Sequence, residues 1–120
     1  MITARANLAA FAPAFDSKAE VWWDAYGALL IAQECGQAVA LTLYHPVTFR
    51  LPGETYTPDF LHILQDGALV FVEIKGSTRQ KNYRDARSKL RAAAEVFAWV
   101  TFYEAIVNGQ GCDKLERIGG

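Results

Sequence analysis

Asp59, Glu73 and Lys75 are the residues of this sequence whose types and spacing point most directly to chemistry. Glu73 and Lys75 close an apolar run, Leu69-Val70-Phe71-Val72-Glu73-Ile74-Lys75. Alternate residues of a strand share a face, so this acid and base project together while Val72 and Ile74 point into the other layer. Asp59 joins them in only one hairpin register. A two-residue turn of Asp66 and Gly67 would set Asp59 opposite Ile74, on the wrong face. A three-residue loop of Gln65, Asp66 and Gly67, with Gly67 left-handed, sets it opposite Glu73. Two carboxylates so close repel and raise one another's pKa, and are normally stable as a charged pair only with a cation between them. Mg²⁺ suits such oxygen ligands, with Mn²⁺ as a substitute, and the carbonyl of Ile74 offers one more oxygen; no His or Cys cluster points to zinc. An ion held there acidifies a water, polarises a phosphoryl oxygen and stabilises a leaving oxygen, while Lys75 orients the nucleophile or offsets charge in the transition state.

Plainer roles compete for the same residues. Asp59 after Pro58 fits a turn acid, and Glu73 with Lys75 fits an exposed cross-strand pair. Their place at the end of a strongly apolar strand favours a site. Glu20 is a further candidate ligand, but Ser17-Lys18-Ala19-Glu20 also has the Ser-x-x-Glu form of a helix-capping box, and a side chain folded back on its own backbone cannot reach a metal. His45 and His62 invite a general-base role, against which His62 falls on the face opposite Asp59.

The net charge of −1 argues against a protein that is basic overall, yet six of the 12 basic residues (Arg79, Lys81, Arg84, Arg87, Lys89 and Arg91) fall in one stretch whose only acid is Asp85. Arg84, Arg87 and Arg91 follow helical spacing and line one side of an apolar stripe, while Lys89 points elsewhere. Arg79 and Lys81 come just after the candidate site. Lys18, Arg79, Lys81, Tyr83, Arg84, Arg87 and Arg91 are therefore the expected nucleic-acid contacts.

The elements that must position these groups follow from periodicity. A first helix begins at Ser17 and ends near Gly36, with Trp22, Ala25, Tyr26 and Leu29 as its buried stripe. A strand and an irregular or edge strand span Val39 to Phe49, with Pro46 interrupting. The hairpin of Tyr56 to Leu64 and Ala68 to Lys75 comes next. A second helix runs from about Thr78 to Phe97, with Tyr83, Ala86, Leu90, Ala94 and Phe97 inside, and a last strand covers Trp99 to Val107. The result is an α/β fold, a short mixed β-sheet flanked by helices.

At 120 residues, with 52% apolar and 21% charged content, the chain fits one domain with a real core. Residues 1–14 and 108–120 read as looser ends or oligomer contacts. Cys35 and Cys112 match no metal-ligand spacing and fit a reducing compartment. The run from Asn7 to Ala14 has a weak likeness to a secretory signal but is short and carries little charge, so a cytoplasmic location is expected.

Pro58-Asp59, the spacer and Glu73-Ile74-Lys75 together resemble the signature of the PD-(D/E)xK nucleases, and Glu20 is similar to an additional acid on the first helix of many members. Ser17 to Glu20, Pro58 to Phe60, Glu73 to Gly76 and the Tyr- and Arg-bearing stretch from Tyr83 to Arg91 resemble small phage endonuclease I-like Holliday-junction resolvases over roughly residues 15 to 105. The resemblance implies a restriction-endonuclease-like core and a Mg²⁺-dependent DNA endonuclease. Asp59, Glu73, Ile74 and Glu20 would be around the metal, Lys75 assisting, DNA the partner and a homodimer the working form. The N-terminus lacks a strongly basic arm, which weakens the implied junction preference.

Overall fold

The computed structural model describes the backbone of residues 4–6 and residues 15–77 and 83–119 in full. The expected contacts Arg79 and Lys81, the expected helix start at Thr78 and the stretch from Asn7 to Ala14 lie outside them. Helix α1 (Lys18–Cys35) begins where expected: the Ser17 side chain accepts the Glu20 N–H at 3.2 Å. It ends on Gly36, which at φ 74° donates its N–H to the Ala32 carbonyl in a left-handed cap.

The buried face of α1 differs from expectation. Glu20, Trp23, Gly27 and Ile31 point inward, Trp22 is half-buried, and Ala25, Tyr26 and Leu29 are exposed. The reason is a polar anchor that hydropathy does not register. The Trp23 indole N–H donates to Nε2 of buried His62 at 2.9 Å, and His62 Nδ1 lies 2.8 Å from the Thr42 hydroxyl. Because the indole can only donate, His62 must accept at Nε2 and carry its proton on Nδ1. Trp23 lies so close over Gly27 that a Cβ there would overlap the indole ring.

Strands β1 (Ala4–Ala6), β2 (Val39–Tyr44), β3 (Val47–Leu51), β4 (Glu54–Tyr56), β5 (Phe60–Leu64), β6 (Leu69–Lys75), β7 (Thr101–Val107) and β8 (Cys112–Ile118) form two sheets. The larger is mixed and five-stranded, in the order β2-β5-β6-β7-β8; the smaller has the order β1-β3-β4. Among the described strands only β6 and β7 pair in parallel, joined across the sheet through helix α2 (Tyr83–Val96). Two expectations change here. The chain leaves the large sheet at His45-Pro46, so β3 and β4 build a separate sheet, and the first hairpin strand expected from Tyr56 to Leu64 begins only at Phe60. The tail from residue 108 is not loose, since β8 pairs along β7 from Phe102↔Ile118 to Val107↔Cys112. Glycine turns and alternating charges hid that edge strand.

The large sheet is covered on both faces, which explains why β6 and β7 read as nearly continuous apolar runs. On one face Trp23 and Ile31 of α1 pack on Phe60, Val70, Val72, Ile74, Tyr103 and Ala105. On the other, Leu90, Ala93, Ala94 and Phe97 join Phe49, Leu51 and Tyr56 of the small sheet against Phe71 and Phe102. Neither described helix is long and apolar enough to cross a membrane.

Gly27→Ala should lower the unfolding free energy by about 1–3 kcal/mol by forcing the anchored indole to move. Gly36→Ala should cost about 1 kcal/mol for its backbone alone. Urea denaturation of the two variants checks the order; an equal or smaller loss at residue 27 contradicts the close packing described.

Candidate functional site

The β5–β6 hairpin sets the site. Its pairing from Ile63↔Leu69 to Phe60↔Val72 leaves Gln65, Asp66 and Gly67 as a three-residue loop, with Gly67 at φ 87° and Leu64 N–H bonded to the Ala68 carbonyl at 2.9 Å. One step beyond the last pair, Asp59 stands opposite Glu73. The regular ladder stops there, and the Asp59 carboxylate replaces it: Oδ2 accepts the Ile74 N–H at 2.7 Å. A strand residue's N–H and C=O face the same edge, so the Ile74 carbonyl faces the gap that β5 leaves by starting at Phe60.

Glu20 brings α1 to the same sheet end. Its Oε1 accepts the Asp16 N–H at 2.9 Å and the Tyr44 hydroxyl at 3.0 Å. The carboxylate does fold back toward its own backbone, yet it also interacts with Asp59. Burial first, then the Asp59 charge, raise the Glu20 pKa. Capping and membership of the acidic group are therefore compatible, contrary to the exclusive choice drawn from the sequence, because the helix N-terminus itself abuts the sheet end.

The sequence offered His45 only as a general-base candidate and did not link it to Asp59. The structure puts its Nε2 3.2 Å from Asp59 Oδ1, and its N–H donates to the Asp59 carbonyl at 2.8 Å. His45 is the only described non-glycine residue at positive φ, 48°, and its ring stacks on Tyr44 at 3.9 Å between centroids. The hydrogen bond to Asp59 is the main reason its pKa is raised. Possible ligand atoms of Asp16, Glu20 and His45 all lie within 4.8 Å of one another. The β2–β5 register brings His45 here, and no local motif could have announced it.

Glu73 faces the α2 side of the sheet. Its Oε1 accepts the buried Tyr56 hydroxyl at 2.7 Å, and its Oε2 lies 3.2 Å from Lys75 Nζ. Burial and the Asp59 charge push its pKa up to about 7, against the opposing pull of Tyr56 and Lys75. Glu20, Asp59, Glu73 and the Ile74 carbonyl are hard oxygen donors, of the type that Mg²⁺ takes, linked through Asp59; the ligand atoms that converge within 4.8 Å are those of Asp16, Glu20 and His45.

The expected nucleic-acid contacts divide. Arg87 is a correction: its guanidinium holds Glu104 at 2.5 Å and Glu116 at 3.2 Å, with Tyr83 sharing Glu104 at 2.9 Å, so both side chains clamp α2 onto β7 and β8 instead of facing outward. Arg84 and Arg91 are exposed, Arg91 beside Glu95 and Glu116 in a hollow separate from the candidate site. Lys18 borders a different hollow, with Trp22, Tyr26 and Asn108. Lys89, expected to point elsewhere, lines a cleft with Glu73 and Lys75. The charge run was visible in the sequence; which side of the helix met the sheet was not.

The chain matches no protein-family model and no curated protein sequence. The site therefore rests on its own geometry.

In metal-free protein, Glu73 and His62 should impose opposite pH dependences. Glu73 holds its proton to about pH 7 when folded and to 4.5 when unfolded, so its contribution to stability falls as pH rises across that window, with Glu20 acting in the same direction. Burial lowers the His62 pKa to about 4 from 6.5, so its contribution is complete above 6.5 and is lost as pH falls toward 4. Each effect is on the order of 3 kcal/mol. Urea denaturation in chelator should show stability rising with pH between 4.5 and 6.5 in Glu73→Gln and falling in His62→Gln. The same slope in both variants contradicts the assignment.

Proposed function

We propose that this chain is a Mg²⁺-dependent DNA endonuclease of the PD-(D/E)xK kind on a restriction-endonuclease-like core. In this reading it is structure-selective in the manner of a Holliday-junction resolvase and works as a cytoplasmic homodimer. The observation that carries the reading is the sheet end itself. The hairpin register sets Asp59 opposite Glu73, Lys75 shares the Glu73 face, and Glu20 reaches Asp59 from the first helix.

In this reading Asp59, Glu73, Glu20 and the Ile74 carbonyl hold the ion. Bound there, Mg²⁺ would supply Lewis-acid polarisation of a phosphoryl oxygen and a more acidic water. The protein's own groups do the positioning. The Ile74 N–H and His45 fix the two oxygens of Asp59, Tyr44 steadies Glu20, and Tyr56 steadies Glu73. Lys75, two residues from Glu73 on the same face, orients the attacking water and offsets the charge that builds on the phosphate. Resolving a four-way junction takes two matched cuts and hence two copies of the site, which a symmetric dimer provides.

The test is cleavage of end-labelled four-way junction, flap and linear duplex DNA in Mg²⁺ or Mn²⁺. Wild type should cut the junction preferentially, and Asp59→Ala and Lys75→Ala should each slow cutting by roughly 100-fold or more. Equal cutting of linear duplex would replace the resolvase with a restriction, repair or transposition nuclease using the same centre. Absence of cutting with either metal would leave a non-catalytic nucleic-acid-binding module and end the enzyme reading.

A further inference from the structure

Beside Lys75, on the α2 side of the large sheet, lies a cleft of about 440 Å³ bordered by Thr55, Thr57, Glu73, Lys75, Asp85 and Lys89. Its walls come from three elements. Strand β4 and the turn after it supply the threonines, the end of β6 supplies Glu73 and Lys75, and Asp85 and Lys89, one helical turn apart, supply the α2 wall. A cleft of this volume has room for a phosphate group.

Lys89 is the unexplained member. It is half-buried, and among the described residues it makes no hydrogen bond or ion pair. Three nearby basic residues are engaged: Lys75 holds Glu73, Arg87 holds Glu104 and Glu116, and Lys114 holds Glu116. Taking an ammonium partly out of water without a partner is costly, so its seat favours an incoming anion. Asp85 does not take that place, since no ion pair joins it to Lys89 despite the favourable four-residue spacing. The helix cannot turn Lys89 away, because the Arg87 clamp to Glu104 and Glu116 fixes its rotation against β7 and β8.

We propose that this cleft seats the DNA backbone phosphate next to the one that is attacked, with Lys89 neutralising it and Thr55 and Thr57 lining the opposite wall. The proposal rests on the nuclease reading and adds to it where the cut strand runs: from the Asp59 and Glu73 end of the sheet, past Lys75, along the α2 side. Lys89 is then a substrate-positioning residue, for which Lys75 cannot substitute, being committed to Glu73 and the reacting phosphate. A neighbouring phosphate held in this way fixes the register of the strand over the site, and a small misplacement there would slow the reaction severely.

The experiment measures binding and cutting of a junction by full-length wild type, Lys89→Ala, Lys89→Gln and, as a charge-matched control on the opposite face of the sheet, Arg117→Ala. Binding is followed in Ca²⁺ across a salt series. Both Lys89 variants should bind about tenfold more weakly, and the slope of log affinity against log salt should fall by about one contact, while Arg117→Ala retains the wild-type slope. A second arm places one uncharged methylphosphonate on either side of the scissile phosphate. At one of the two positions it should slow wild type about tenfold and slow Lys89→Ala no further, because the same contact has already been lost. Additive losses at both positions, or an unchanged salt slope in the Lys89 variants, overturn the proposal while wild type still cuts. Failure of wild type to bind or cut any substrate overturns the nuclease reading along with it.

Discussion

The hydrogen bond from the Ile74 N–H to the Asp59 carboxylate is the interaction on which the site depends. It exists because β5 begins at Phe60, two residues short of the Pro58 position that would face Ile74, leaving a backbone donor at the sheet end that the Asp59 side chain satisfies. Asp59 fills that role with one oxygen and turns the other to His45. The same premature end of β5 exposes the edge where Glu20 approaches from α1. A hairpin loop one residue shorter or longer would place Asp59 on the opposite face and leave the Ile74 N–H without this acceptor.

The sheet treats two neighbouring acids in contrasting ways. Glu73 and Glu104 are register partners on β6 and β7 and point to the same face. Glu104 is enclosed and compensated by Arg87 and Tyr83, which makes it part of the scaffold that holds α2. Glu73 has Tyr56 and Lys75 as partners but also faces the Asp59 charge, and its carboxyl is pushed toward the protonated form. One acid is balanced from within the protein. The other is held toward its protonated form by burial and a neighbouring like charge.

Much of this was legible in the sequence because it depends on short-range rules. Gly67 announced the three-residue loop, the loop fixed the register, and the register put Asp59, Glu73 and Lys75 together. Ser17 and Gly36 announced both ends of α1. What escaped notice depends on contacts far apart along the chain. The Trp23–His62 hydrogen bond spans 39 residues and rotates α1 away from the stripe that hydrophobicity favours, since hydropathy counts an indole's area and not its donor. Arg87 and Lys89 carry the same charge two positions apart, and only the glutamates of β7 and β8 decide which faces the sheet. His45 reaches Asp59 through the β2–β5 pairing and a left-handed backbone before a proline, neither of which local spacing encodes.

The most direct measurement is an amide NMR titration of the protein with Mn²⁺, whose unpaired electrons broaden nearby signals. The account predicts that the amides of Asp59, Glu73, Ile74, Lys75 and Glu20 broaden first, and that Asp59→Ala abolishes this selectivity. Broadening centred on other acids, such as Asp113 and Glu116 on β8, or spread evenly over the surface, would contradict a cation site at the end of β5 and β6.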